Sequence, residues 1–255
     1  MWVKGFNEWR ESVNYAIILA AGVGQRMRNS GMPKQFLKLM GKPIVIYTLE
    51  KFEQCGEIDR IVIVCHGSYI DYMNKLLDTY YIEKVEKVIV GGNDRQGSLK
   101  RGLEAIAELG GQNEDIVVIH DGVRPLVCHA TIYENIRVAK QYGCAVTVHQ
   151  AAESVMITET EEAEMKDFKK RKDTYSMTAP QTFQFSKVMD AYKQLENIEQ
   201  SEYPLLDAAM VYAYVGGVVH LVKEQGTNIK ITTPEDYYIL KAILELEESK
   251  YIFGL

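Results

Sequence analysis

Two cations, Arg26 and Lys34, stand eight residues apart just downstream of a run of small residues, Ala20-Ala21-Gly22-Val23-Gly24. The run follows Ile17-Ile18-Leu19, which reads as the end of a buried strand. A strand that opens into a small-residue loop lets backbone N–H groups approach a polyanion closely. Two cations beside such a loop can take up phosphate charge. The chemistry expected here is the binding of a nucleoside triphosphate. The stretch begins like a dinucleotide fingerprint, but Met27 stands at the third glycine position. That glycine permits close helix–strand packing, so its absence counts against a nicotinamide or flavin enzyme.

Three further stretches carry residues of the same kind. Gly91-Gly92-Asn93-Asp94-Arg95-Gln96-Gly97-Ser98 is a glycine turn leading into a helix with a polar start. It suits a base or phosphate contact, with Asn93 or Asp94 as a helix cap. His120-Asp121-Gly122-Val123-Arg124-Pro125 ends a buried strand. An acidic side chain there can hold a Mg²⁺ that bridges phosphates, and Arg124 can lock the loop. Asn228-Ile229-Lys230-Ile231-Thr232-Thr233-Pro234 places Lys230 just before a helix that Thr233 caps and Pro234 begins. Lys230 is thus a further candidate cation. Pro33 restricts Met32 to extended geometry and helps to aim Lys34. The pairs Cys65-His66, His120-Asp121 and Cys128-His129 lack the spacing of a transition-metal site. No Ser-His-Asp arrangement is legible.

The elements that must position these residues alternate in type. Strands are expected at 15–20, 60–65, 87–90, 115–120 and 145–148. Helices are expected at 44–55, 69–80, 96–109 and 131–142. The strands are short continuous runs of Val and Ile, the pattern of a parallel sheet covered on both faces. The loops at Gly22, Gly91-Gly92 and Asp121 all follow strands, so they meet in one crevice at the carboxyl edge. From about 150 to 178 the alternation breaks into a charged stretch, with Thr158 to Glu162 as the turn of a projecting hairpin. An excursion of that length inside a compact domain is usually functional or interfacial. Helices return at 188–195, 206–214 and from 234 toward 248, with a strand at 218–222.

The 255 residues, 47% hydrophobic and 25% charged, suit one α/β domain with an appendage. A formal net charge of −6 argues against a general nucleic-acid binder. The four cysteines, Cys55, Cys65, Cys128 and Cys144, are scattered and fit reduced thiols in the cytoplasm. No apolar run approaches the roughly 18 residues that span a bilayer. Residues 1–13 form an N-terminal extension, separate from a domain over 14–255. There Trp2, Phe6, Trp9 and Val13 share one face of a helix, packed on its own subunit, a dimer mate or another partner.

The motifs A-A-G-x-G-x-R-M, P-K-Q-F, G-G-x-x-R-x-x-S, H-D-x-x-R-P, P-Q-T-F and N-I-K-I-T occur in this order between residue 14 and about 245. Together they resemble the cytidylyltransferases that act on 2-C-methyl-D-erythritol 4-phosphate or ribitol 5-phosphate. Met32-Pro33-Lys34-Gln35-Phe36-Leu37, Leu49-Glu50-Lys51-Phe52 and Cys65-His66-Gly67 look closer to the ribitol branch. The resemblance implies a Rossmann-like nucleotidyltransferase fold, mostly parallel, with helices on both faces and a projecting β-arm. It implies a homodimer clasped by the 150–178 arm, Mg²⁺ as cofactor, and transfer of a cytidylyl group from CTP to a polyol phosphate with release of pyrophosphate. Ala20, Ala21, Gly22 and Gly24 would then cradle the triphosphate. Arg26, Lys34 and Lys230 would be catalytic, neutralising phosphate charge. Gly92, Arg95 and Ser98 would line the cytidine pocket, and Asp121 would serve Mg²⁺ and the ribose. Arg171, Ser154 and Asp207 would bind the acceptor, with Arg171 acting in the opposite subunit of such a dimer.

Direct attack of one phosphate on another needs alignment and charge neutralisation more than a protein nucleophile, so the missing triad is expected. The departures from the family pattern fall on the acceptor side. Ala179 and Leu206 stand where the family has threonine, which removes two hydroxyls. The acceptor expected is ribitol-5-phosphate-like. The alternatives are the methylerythritol phosphate of isoprenoid synthesis and, in another class, a protein that binds CTP without turning it over.

Overall fold

The computed structural model describes residues 12–22, 32–157, 167–196, 198 and 204–253. Arg26, Gly24, the Trp2–Trp9 face and the Thr158–Glu162 turn lie outside the described residues. In chain order the elements are β1 (Asn14–Ala20), a small hairpin of β2 (Lys38–Leu39) and β3 (Lys42–Pro43), α1 (Ile44–Glu53), β4 (Arg60–Cys65), α2 (Ile70–Tyr80), β5 (Val85–Val90), α3 (Arg95–Glu108), β6 (Ile116–Asp121) and α4 (His129–Tyr142). There follow β7 (Cys144–Gln150), β8 (Val155–Ile157), β9 (Asp167–Lys169), β10 (Tyr175–Gln184), α5 (Phe185–Leu195), α6 (Ala208–Tyr214), β11 (Leu221–Lys223) and α7 (Pro234–Phe253).

A seven-stranded sheet runs in the order β11-β7-β10-β6-β1-β4-β5. Its strands are parallel except β10, which is antiparallel to both β6 and β7. Alternation along β1 divides the core. Ala16, Ile18 and Ala20 face the layer containing α1, α2 and α4, whereas Tyr15 and Ile17 face α3, α5 and α6. Both sides of the sheet are dry along the central strands β1, β4 and β6, which is why these are largely apolar runs. Gly102 lets α3 lie close, since a Cβ there would come within 3.0 Å of the Ile17 side chain. A smaller cluster of Leu39, Ile44, Val123, Ile231 and Leu240 seats α7 against the β2–β3 hairpin.

Register fixes where the strands end. Ala20 pairs with Cys65, Leu19 with Asp121, and Cys65 with Val90. The carboxyl ends of β1, β4, β5 and β6 are thus level, and the loops after them share one edge.

The main departure from the expected order is β10, which sits in the middle of the sheet. Its Thr178-Ala179-Pro180-Gln181 centre lacks an apolar run and holds a proline after a cis peptide bond. Proline is tolerated because the pairing with β7 shifts register between Met177 and Gln181, so no ladder N–H is required there. The excursion at 150–178 contains the antiparallel pair β8–β9, with Val155 facing Lys169 and Ile157 facing Asp167.

Candidate active site

A cleft of about 420 Å³ opens at the level strand ends. It brings together Ala20, Ala21, Gly22, Lys34, Gly92, Arg95, Ser98, Asp121 and Lys230, all marked in the sequence as candidates. A second cleft of about 460 Å³ adjoins it, lined by Met177, Thr178, Gln181, Leu206 and Asp207 among others. Asp94, Arg95, Asp121 and Lys230 line both.

The first cleft is held open by residues that do not themselves carry charge. Gln35, 1% exposed, donates from Nε2 to the carbonyls of Ala20 (2.6 Å) and Gly22 (3.0 Å). Two loop carbonyls are thereby turned toward the glutamine and away from an incoming anion. Phe36 is fully buried and stacks on Tyr69 at 4.8 Å, which anchors the short 3-10 turn Lys34–Phe36. Lys34 is left at the rim of the cleft. Composition alone did not single out Gln35. Its signal was its place beside Lys34 in P-K-Q-F.

On the opposite wall Asp94 caps α3, its Oδ1 accepting from the Gly97 N–H at 2.7 Å. Ser98 is buried, and its Oγ accepts from the Gly92 N–H at 3.1 Å. Gly92 is required sterically. A Cβ there would lie 2.5 Å from the carbonyl carbon of Gly97 and 2.8 Å from the Ser98 nitrogen, both backbone atoms. A Gly92→Ala protein is expected to lose at least about tenfold in CTP affinity as the turn and helix start separate. Isothermal titration with CTP checks this, and wild-type affinity would count against it.

Asp121 is the electrostatic centre. Its Oδ1 receives Arg95 at 2.6 Å, and its Oδ2 receives Arg124 at 3.1 Å and Lys230 at 3.1 Å. Burial alone would raise its pKa. The Arg95, Lys230 and Arg124 cations outweigh that and hold the carboxyl well below the usual range. Arg124 also donates to the Asn228 carbonyl at 2.9 Å, and the Ile231 N–H donates to the Val123 carbonyl at 2.9 Å. These bonds bring the 228–231 segment, and hence Lys230, onto the end of β6.

In this arrangement Asp121, the carboxylate that the resemblance assigns to Mg²⁺, is engaged by three cations. Both carboxylate oxygens are taken by cations, and the described residues contain no group of three or more His, Cys, Asp or Glu arranged around a metal.

His120 is fully buried beside Asp121, with Nε2 donating to the Arg124 carbonyl at 3.1 Å and Nδ1 unpartnered. Burial drives its pKa down from 6.5 to about 4. The unfolded chain therefore binds the extra proton first as pH falls. His120's contribution to stability is full above pH 6.5 and drains away between 6.5 and 4, by on the order of 3 kcal/mol. Urea denaturation from pH 7.5 to 4.5 should show this slope, reduced in His120→Asn. An equal slope in both proteins would refute the assignment.

The acceptor candidates divide. Asp207 lines the second cleft and caps α6, its Oδ1 accepting from the Met210 N–H at 3.0 Å. Leu206 lines the same cleft and is 63% exposed. Ser154 and Arg171 are exposed on the 150–178 excursion and line neither cleft of their own chain. Ala179 lines neither cleft as well. It is 4% exposed, and its carbonyl accepts from Asn228 Nδ2. Thr178 and Gln181, on either side, line the cleft instead. Gln181 also fixes α6, its Oε1 accepting from the Ala209 N–H at 3.1 Å.

Comparison with known proteins agrees with this geometry. Residues 14–246 match the family described as IspD, 2-C-methyl-D-erythritol 4-phosphate cytidylyltransferase. A ribitol-5-phosphate cytidylyltransferase of Vibrio parahaemolyticus serotype O3:K6 is 41% identical over 242 residues, covering 95% of this chain and 100% of the relative. One of Streptococcus agalactiae serotype III is 35% identical over 243 residues, with the same coverage. Among solved structures, a 4-diphosphocytidyl-2C-methyl-D-erythritol synthase from Anaerococcus prevotii superposes with a TM-score of 0.78 at 24% identity, covering 92% of this chain and 96% of that one. The 2-C-methyl-D-erythritol 4-phosphate cytidylyltransferase of Francisella tularensis gives 0.71 at 26%, covering 90% and 98%. Among the described residues no helix is long and apolar enough to cross a membrane. The cation-lined edge, the strand order and these relatives converge on one statement: the chain belongs to the 2-C-methyl-D-erythritol 4-phosphate cytidylyltransferase family and is a CTP-dependent nucleotidyltransferase that acts on a polyol phosphate.

Proposed function

We propose that the acceptor is ribitol 5-phosphate and the product CDP-ribitol. CTP occupies the Ala20–Lys34–Gly92 cleft, and the polyol phosphate occupies the cleft of Thr178, Gln181, Leu206 and Asp207. One observation carries this division: the two clefts meet at Arg95, Asp121 and Lys230, where two phosphates would be brought face to face. A phosphate oxygen of the acceptor attacks the α-phosphorus of CTP in line. The new P–O bond forms as the bond to the β-phosphate oxygen breaks, and pyrophosphate leaves. Lys34 and Lys230 neutralise the charge that gathers on the phosphate oxygens, and the loop at Ala20–Gly22 orients the triphosphate. Arg26 belongs to the same role by its motif. A Mg²⁺ requirement, in this reading, travels with CTP as its chelate and not with Asp121.

We further propose a cytoplasmic homodimer. The β8–β9 pair leaves Met156 at 60% and Phe168 at 69% exposure, an apolar surface suited to a mate. Ser154 and Arg171 then serve the opposite subunit's acceptor. Unpaired cysteines at 55, 65, 128 and 144 suit a reducing compartment. Identity to relatives named for ribitol 5-phosphate, 41% and 35%, exceeds the 26% to the Francisella enzyme named for methylerythritol phosphate, which favours the ribitol reading. Pyrophosphate release from CTP, measured with ribitol, methylerythritol, erythritol and glycerol phosphates, tests it. A higher kcat/KM on methylerythritol phosphate would replace the acceptor, and no release with any would remove the claim.

A further inference from the structure

Beside Arg95, which lines both clefts, stands a neutral side chain of the second cleft that the charge pattern does not mark. Gln96 is the second residue of α3, directly after Arg95. Its Nε2 donates to the Leu205 carbonyl at 2.5 Å and to the Asp207 carbonyl at 3.3 Å. Its Oε1 accepts from the Tyr192 hydroxyl on α5. The amide has only one workable orientation. Both main-chain partners are carbonyls that can only accept, so the NH₂ group must face them, and the oxygen then meets the one hydroxyl able to donate. Burial pushes the Tyr192 phenol up, so it stays a donor.

We infer that Gln96 is a positioning residue for the acceptor: it holds the 205–207 loop, and with it Leu206 and Asp207, at a fixed distance from the Arg95–Asp121 centre. Among the described residues, the other ties at this end of α6 are the Ala209 N–H on Gln181 Oε1 at 3.1 Å, the Met210 N–H on Asp207 Oδ1 at 3.0 Å and the Val211 N–H on the Asp207 carbonyl at 3.2 Å; they order the helix start and leave Leu205 and Leu206 to Gln96. Leu206 is exposed and, among the described residues, makes no hydrogen bond of its own. The clamp runs from α5 through Gln96 to the loop, so it registers the acceptor wall against the helix that carries the nucleotide's contacts. This inference rests on the second cleft being the acceptor's.

The test is steady-state kinetics with CTP and ribitol 5-phosphate, alongside calorimetric CTP binding. Gln96→Met keeps length and removes both hydrogen-bonding ends. Its acceptor KM is expected to rise about tenfold, with the CTP dissociation constant within about twofold of wild type. Gln96 also lines the cleft, so a second variant separates positioning from direct contact. Tyr192 is 6% exposed and lines neither cleft. Tyr192→Phe removes the bond that ties the amide to α5 and is expected to raise acceptor KM about threefold, with the double variant no worse than Gln96→Met alone. Unchanged acceptor KM in Tyr192→Phe overturns the clamp, as does an equal loss of CTP affinity in either variant. If Gln96→Met does not fold, Tyr192→Phe decides alone. Wild-type inactivity on every polyol phosphate overturns the cleft assignment itself, a result distinct from an active wild type whose variants keep its acceptor KM.

Discussion

An Asp121→Ala protein is expected to be both unstable and nearly inactive. The carboxylate is 4% exposed and neutralises Arg95, Arg124 and Lys230 together. Its removal leaves cations crowded at one strand end without their counter-charge. Breaking a buried pair by deleting one partner costs about 3–5 kcal/mol, because the remaining charge stays desolvated. In a domain of this size that corresponds to a fall of roughly 10 °C in Tm. Turnover should fall by about 10²–10³, since Arg95 and Lys230 both lose their aim where the clefts meet. Asp121→Asn keeps the shape and should fall between. Thermal denaturation and pyrophosphate release check the two halves separately. A stable but inactive Asp121→Ala would favour a purely chemical role over the organising one. The carboxyl's depressed pKa means this support is present at every pH above the ordinary 3.8 and is withdrawn only in strong acid.

Lys34→Ala is expected to separate activity from stability in the other direction. The turn around Lys34 is secured by Gln35 on the loop carbonyls and by Phe36 in the core, neither of which the substitution touches. Tm should fall by less than in Asp121→Ala, since Lys34 is half-buried and its turn keeps the Gln35 and Phe36 anchors. Turnover should drop by about 10²–10³, the usual loss when one stabiliser of developing oxyanion charge is removed. Retained CTP binding with lost kcat identifies Lys34 as acting on the leaving pyrophosphate. Wild-type turnover would remove it from the reaction.

Much of the nucleotide half was readable from residue order. Unbroken Val and Ile runs such as Arg60–Cys65 and Ile116–Asp121 form strands because both sheet faces are covered. Glycine after the Ala139–Tyr142 turn stops α4 in the left-handed region, with φ +88° at Gly143. Asp94 and Thr233 stand at helix starts, and Asp236 returns a carboxylate to the Thr232 and Thr233 N–H groups. What escaped notice lies where partners are distant in sequence. Strand β10 was not legible because its pairing tolerates Thr-Ala-Pro-Gln only with both neighbours already in place. The pairing of Asp121 with Arg95 and Lys230 was not legible, because they come from 26 residues before it and 109 after it and only the fold brings them together. Gln35 and Gln96 are neutral amides, and their function lies wholly in the carbonyls they reach. Counting apolar or charged residues does not reveal such contacts.

The reversed direction of β10 has a consequence for how this scaffold can diversify. The loops that face the nucleotide hang from parallel strands whose ends are locked to one another by register. Most residues that line the second cleft and not the first come instead from β10 and the segment that precedes α6, and β10 continues into the base of the excursion through Tyr175 opposite Gln150 and Met177 opposite Val148. If the second cleft takes the acceptor and the excursion meets a mate, as proposed, selectivity and that surface are both carried in part by β10. Under the proposed assignment, lineages can exchange one polyol for another by rewriting β10 and the segment before α6 while the triphosphate's cradle is left alone. A chimera that transplants residues 150–184 and 204–209 between relatives would carry the preference with it.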